Sequence, residues 1–131
     1  MRFVSMILCC ALAVLPLFTK GEDKKEGAHI KFETTTYDFG AVSRQDENKK
    51  LIFRFVNDGT EPLVILAATT SCQCLKSEFS RRPVAVGEMG EIKVYVDVNK
   101  MEKGIFHRVV QIRSNSVNGV EILTVVGSAK D

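Results

Sequence analysis

Cys72 and Cys74, one residue apart, are the side chains of this chain best suited to chemistry. They stand in Thr69-Thr70-Ser71-Cys72-Gln73-Cys74-Leu75, just after the strand-like run Leu63-Val64-Ile65-Leu66. In an extended strand, residues i and i+2 point to the same side, with Cα atoms about 6.6 Å apart. A disulfide wants roughly 4.4–6.8 Å and converging Cβ vectors. Extended backbone therefore sits at the limit, and a bond needs a bend or a bulge. The closed loop is minimal, so its entropic stabilisation is small and strain weighs against it; such a bond is readily reduced. One reading is a pair of free or reversibly oxidised thiols with a mainly structural role. A second is a strained disulfide, which an oxidising compartment favours. A third is metal or redox chemistry, because two thiolates on one face suit Cu(I) or Zn(II). A closed zinc site takes four ligands, and the other candidates, His29, His107, Met89 and Met101, show no ligand-like spacing. Cys72 and Cys74 are thus the candidate metal ligands, and copper is the alternative to no cofactor at all.

The remaining chemistry-bearing residues form no recognisable machinery. There is no Ser-His-Asp order, no spaced carboxylate pair and no Gly-rich phosphate loop. An enzyme is not expected. Arg81-Arg82-Pro83 reads as a solvated loop, and Lys49-Lys50 as charged protection at a strand start.

The elements that must position the cysteines read as strands. Ile92, Val94, Val96 and Val98 alternate with Lys93, Tyr95 and Asp97, the pattern of a half-buried strand. His29–Phe32, Tyr37–Val42, Leu51–Phe55, Phe106–Arg113 and Glu121–Val126 are further strand candidates. Asn57-Asp58-Gly59 supplies residues that tolerate positive φ, and Asn118-Gly119 is a hairpin signal. The polar stretch Gly40–Asn48 reads as a loop. No segment has a helical period. Seven or so short strands in about 100 residues match an all-β, immunoglobulin-like sandwich of about seven to eight strands. The Cys…Trp…Cys core of antibody domains is missing, so packing of apolar side chains must hold the sheets together.

Composition narrows the class further. The chain has 131 residues, room for one domain, and a net charge of +2. Both excess positives, Arg2 and Lys20, fall in residues 1–21, so the rest of the chain is neutral overall. That balance argues against a nucleic-acid partner, and the absence of Trp removes the best stacking platform for bases or sugars. Phe3–Phe18 is apolar apart from Ser5, 16 positions in all, which is short for a membrane span and typical of a signal-peptide core. Thr19 and Gly21 are small and spaced for cleavage. The expected organisation is a signal peptide at 1–21, a polar lead-in at 22–28, and the sandwich at 29–131. Cys9 and Cys10 lie inside the apolar run, not at its end, so lipid attachment is not expected. The mature protein is expected to be exported, to the periplasm or cell surface, without membrane insertion.

Tyr37-Asp38-Phe39-Gly40, Phe55-Val56-Asn57-Asp58-Gly59, Pro62-Leu63, Ser71-Cys72-Gln73-Cys74, Gly87, Gly104 and Ser114-Asn115 together resemble the domain of unknown function 1573. The resemblance runs from about Ile30 to Ala129. It implies a secreted bacterial sandwich of seven or eight strands, similar to modules of the ASPM, SPD-2 and Hydin type and of major sperm protein, with no established activity. Gln73 stands where that family usually has Gly, and Val86 where it usually has Pro. The function these observations favour is a non-enzymatic interaction or structural module of the bacterial cell envelope, presenting loops and an edge strand to an envelope protein. The alternative is a thiol-redox or copper-binding protein centred on Cys72 and Cys74.

Overall fold

Ile92, Val94 and Val96 are fully buried while Lys93 and Tyr95 between them are not. A pleated strand turns alternate side chains to opposite faces, so this alternation presents one continuous apolar face. Leu51, Phe53 and Phe55 repeat the pattern, as do Val110 with Ile112 and Leu123 with Val125. Such faces are stable only when two of them meet, and here they do.

The computed structural model describes residues 26–131. Eight strands follow in order: β1 (Ile30–Phe32), β2 (Thr36–Ser43), β3 (Lys49–Asn57), β4 (Ile65–Thr69), β5 (Leu75–Phe79), β6 (Met89–Val96), β7 (Gly104–Ser114) and β8 (Val120–Lys130). A 3-10 turn, Val98–Lys100, follows β6 and is capped by the Asp97 side chain, which accepts from the Asn99 amide. One sheet has the order β1-β3-β6-β5 and the other β2-β8-β7-β4. This is the constant-type immunoglobulin arrangement, with the first strand divided between the sheets. β2 runs parallel to β8; the other pairings are antiparallel. Phe53, Phe55 and Phe106 fill the space between the sheets together with the aliphatic side chains. The expected signal peptide, and all but the last residues of the expected lead-in, lie outside the described residues. Among the described residues, no helix is long and apolar enough to cross a membrane.

Four expectations need correction. Gly40–Asn48 is not all loop, because β2 continues to Ser43. Only Val42 of that strand is buried, and β2 is held by its pairing with β8 along one edge, so it needs little apolar patterning. β5 was not legible because Ser77 takes an inward position where an aliphatic residue would have signalled a strand; its hydroxyl instead donates to the Ala68 carbonyl at 3.0 Å. Val98 is buried but belongs to the 3-10 turn, not to β6. Finally, the strand before the cysteines is Ile65–Thr69, so Cys72 and Cys74 stand beyond its end.

The Asn118-Gly119 turn joins β7 to β8 as expected, with Gly119 at φ 72°. Asn57-Asp58-Gly59 does more than turn. The Asn57 side chain is fully buried; its Nδ2 donates to the carbonyls of Glu61 (2.8 Å) and Val84 (2.9 Å). Its Oδ1 accepts from the amides of Gly59 (3.0 Å) and His29 (3.4 Å). All four bonding positions of the amide are thereby used. Gly59 packs so closely on the Gly27–His29 backbone that a Cβ there would overlap main-chain atoms.

Candidate functional site

The cysteines lie in the crossover that carries the chain from β4 in one sheet to β5 in the other. A crossover must bend, and the bend brings the two Cα atoms to 5.2 Å, inside the disulfide range. Cys72 and Cys74 are bonded to each other. Of the three readings, the structure takes the disulfide: extended backbone would have stood at the limit for the bond, and a turn at Gln73-Cys74 supplies the bend. Gln73 accommodates the bend where the family pattern has Gly.

The backbone holds this turn in place. The Cys72 amide donates to Thr70 Oγ1 at 3.2 Å, the Leu75 amide to the Cys72 carbonyl at 3.2 Å, and the Asp97 amide to the Cys74 carbonyl at 2.7 Å. The Cys74 amide points at Cys72 Sγ, 3.2 Å away. The two sulfurs differ in access. Cys74 is 2% exposed and part of the core, whereas Cys72 is half-buried at its margin.

Cys72 lines a shallow depression of about 420 Å³ with Thr70, Ser71, His107, Arg108 and Val109. A second depression shares Thr70, Ser71 and Val109 and adds Thr69 and Gln111. A third shares Thr69 and Gln111 and ends on Arg113 and Val120. Together they form one furrow along the β4–β7 seam, on the outer face of the second sheet. The register explains its lining: Gln111 pairs with Thr69 and Arg113 with Ala67, so these four side chains share the outer face. On the far side of β7, Ile122 sits opposite Gln111 and Val126 opposite His107. Ile105, Val120 and Ile122 are exposed on this face, Ile105 at 92%. The furrow lining contains His107, Arg108 and Arg113 and no carboxylate.

Another depression, of about 450 Å³, lies on the other sheet. Its carboxylates Glu78, Glu88 and Glu91 are interleaved with Arg82 and Lys93, and it holds no cysteine or histidine. The charge there is mixed and the chemistry absent, so the furrow is the better site.

The other candidate donors, which showed no ligand-like spacing in sequence, lie apart in the fold. His29 Nδ1 bonds Asp58 Oδ1, Met101 is buried in the core, and Met89 is exposed on β6. Of the four, His107 alone reaches the depression that Cys72 lines. Among the described residues, no three His, Cys, Asp or Glu side chains converge, so the donor set does not fit a closed zinc site. Sequence reasoning missed Gln111 and Arg113, which join the furrow leading from the cysteine turn only through strand pairing.

The sheet edges are largely closed to strand addition. β2 carries a bulge between Asp38 and Ala41. At β4, Arg81 donates to the Leu66 carbonyl and Ser77 to the Ala68 carbonyl. Arg81, an exposed loop residue, also stacks over Phe79, 5.2 Å from the ring centroid. β1 has three residues, and β5 exposes Lys76 and Glu78. These are the usual ways of blunting an edge. The outer face, not an edge, is the open surface.

Comparison with known proteins agrees with this architecture. The family model for proteins of unknown function DUF1573 matches residues 30–129. No curated protein matches the chain. Among solved structures, a protein of unknown function from Porphyromonas gingivalis W83 superposes with a TM-score of 0.70 at 17% identity, over 85% of this chain and 51% of that one. The chain thus spans about half the length of that protein. The ASH/PapD-like domain 7 of human CEP192 superposes with a TM-score of 0.58 at 8% identity, over 99% of this chain and 98% of that one. The periplasmic chaperone SfaE does so with a TM-score of 0.57 at 5% identity, over 78% of this chain and 58% of that one. At such identities the likeness is one of fold.

Proposed function

The chain belongs to the DUF1573 family of proteins of unknown function, and from that premise we propose that it is a non-enzymatic protein-interaction domain, exported and working in the bacterial cell envelope. The furrow along the β4–β7 seam carries the reading. It is shallow, combines the hydroxyls of Thr69, Thr70 and Ser71 with aliphatic Ala67, Val109 and Val120, and lies beside exposed Ile122. Its occupant is an extended polypeptide segment with an acidic residue, since the lining offers cations and no carboxylate. Exposed aliphatics rimmed by polar residues mark interaction surfaces. The sandwich is shared with a periplasmic chaperone and with a PapD-like domain, which supports a binding role for the fold. The apolar run Phe3–Phe18 supports export.

Site-specific photo-crosslinking in native envelopes tests the proposal. A crosslinker at Gln111 is expected to capture a distinct partner, and one at Lys93, on the other sheet, is not. Arg113→Glu should abolish the Gln111 product, while replacing both cysteines with Ser should leave it intact. Crosslinks from Lys93 alone, or a partner recovered only with intact cysteines, would overturn the reading.

A further inference from the structure

We propose that Cys72–Cys74 is a reversible dithiol–disulfide exchange site whose substrates are dithiols, with Cys72 the sulfur attacked and Cys74 the sulfur that leaves. This goes beyond the interaction surface and does not depend on it. Four observations converge. Access is one-sided: Cys74 is 2% exposed, whereas Cys72 borders a depression open to solvent, so an incoming thiolate reaches Cys72. The reduced state has built-in stabilisation: the Cys74 amide points at Cys72 Sγ from 3.2 Å, and His107 and Arg108 line the same depression. Amide donors and a neighbouring guanidinium favour a thiolate over a thiol. The turn is pinned by backbone bonds from Leu75 and Asp97 that do not involve sulfur. With one residue between the cysteines, the bond closes too small a loop to hold the fold, so both redox states can share one backbone.

The exchange balances as follows. A thiolate of the dithiol attacks Cys72 Sγ; its bond to Cys72 forms as the Cys72–Cys74 bond breaks. The electron pair stays on Cys74 Sγ, which takes a proton from water. The second thiolate of the substrate then attacks the substrate sulfur in the mixed disulfide. The substrate closes its own disulfide and Cys72 departs as a thiolate. Two electrons have passed from the dithiol to the cysteine pair. A monothiol has no second thiolate to offer, and Cys74 lies beside the mixed disulfide to expel it again. That proximity selects dithiols.

The purified protein is equilibrated in dithiothreitol buffers and, separately, in glutathione buffers of equal total thiol, then quenched with N-ethylmaleimide and weighed intact. Dithiothreitol is expected to open the bond fully, adding two alkyl groups with an unchanged circular dichroism spectrum. Glutathione should open at least about tenfold less. Brief alkylation of the reduced protein should modify Cys72 at least about tenfold faster than Cys74. Cys74→Ser should form a mixed disulfide with oxidised glutathione at Cys72; if that variant misfolds, the alkylation ratio in the unmodified protein still decides. Reduction only in denaturant, equal alkylation of both sulfurs, or stoichiometric copper held by the reduced pair in place of exchange would each overturn the proposal.

Discussion

The carbonyl of Cys74 accepts a 2.7 Å hydrogen bond from the amide of Asp97, so the buried cysteine is tied by main chain to the residue that follows β6 and by sulfur to Cys72. The hydrogen bond ties the crossover to the first sheet, whereas the disulfide closes only a three-residue loop within the crossover itself. A loop of three residues gains only about 1.6 kcal/mol from closure on the chain-entropy account. Reduction is therefore expected to lower the melting temperature by no more than about 10 °C. Thermal melts of oxidised and reduced protein check this. A loss on the scale of ~4 kcal/mol or more would show that the bond is a structural staple.

Asn57 makes the opposite prediction. Its four hydrogen bonds join His29 just before β1, Gly59 in the turn after β3, the loop at Glu61 and the strand-like contact at Val84. Asn57→Leu would keep the branched shape but leave buried backbone groups unpaired, at a cost of about 3 kcal/mol or more. Urea unfolding measures it. A variant as stable as the parent would mean that water or another donor substitutes for the amide.

Val96 is fully exposed to the core and to nothing else: it is 0% solvent-accessible and pairs with Lys49 on one side and Leu75 on the other. Val96→Asp puts an unpaired carboxylate between the sheets and should cost about 4 kcal/mol. Lys93→Gln, on the outer face of the same strand, should change stability by no more than about 0.5 kcal/mol. Equal effects of the two substitutions would refute the inward and outward assignment of β6.

The outer face of the second sheet should separate binding from folding. Ile122 is 41% exposed beside the furrow, so Ile122→Lys is expected to change stability by less than about 0.5 kcal/mol. The same substitution should reduce partner crosslinking from Gln111 severalfold. Retention of the crosslink at full yield would move the binding surface elsewhere.

Much of the fold was readable before any coordinate. The alternation in Ile92–Val96, Leu51–Phe55 and Phe106–Arg113 specifies strands because a pleat is a local property, repeated every two residues. Asn118-Gly119 marks its turn for the same local reason. The residues from Tyr37 to Asn115 that carry the family resemblance set the sandwich. What the sequence alone left open was every relationship made across space. β2 as a parallel partner of β8, β5 with Ser77 facing inward, and Asn57 as a buried hub depend on which strands lie side by side. The cysteine pair shows the division most clearly. Sequence determined that Cys72 and Cys74 are one residue apart; only the crossing between sheets decided that the chain bends there, bringing the sulfurs together and His107 alongside. A crossover bends because its two ends belong to different layers, and layers are assigned by long-range burial, which no window of local sequence contains.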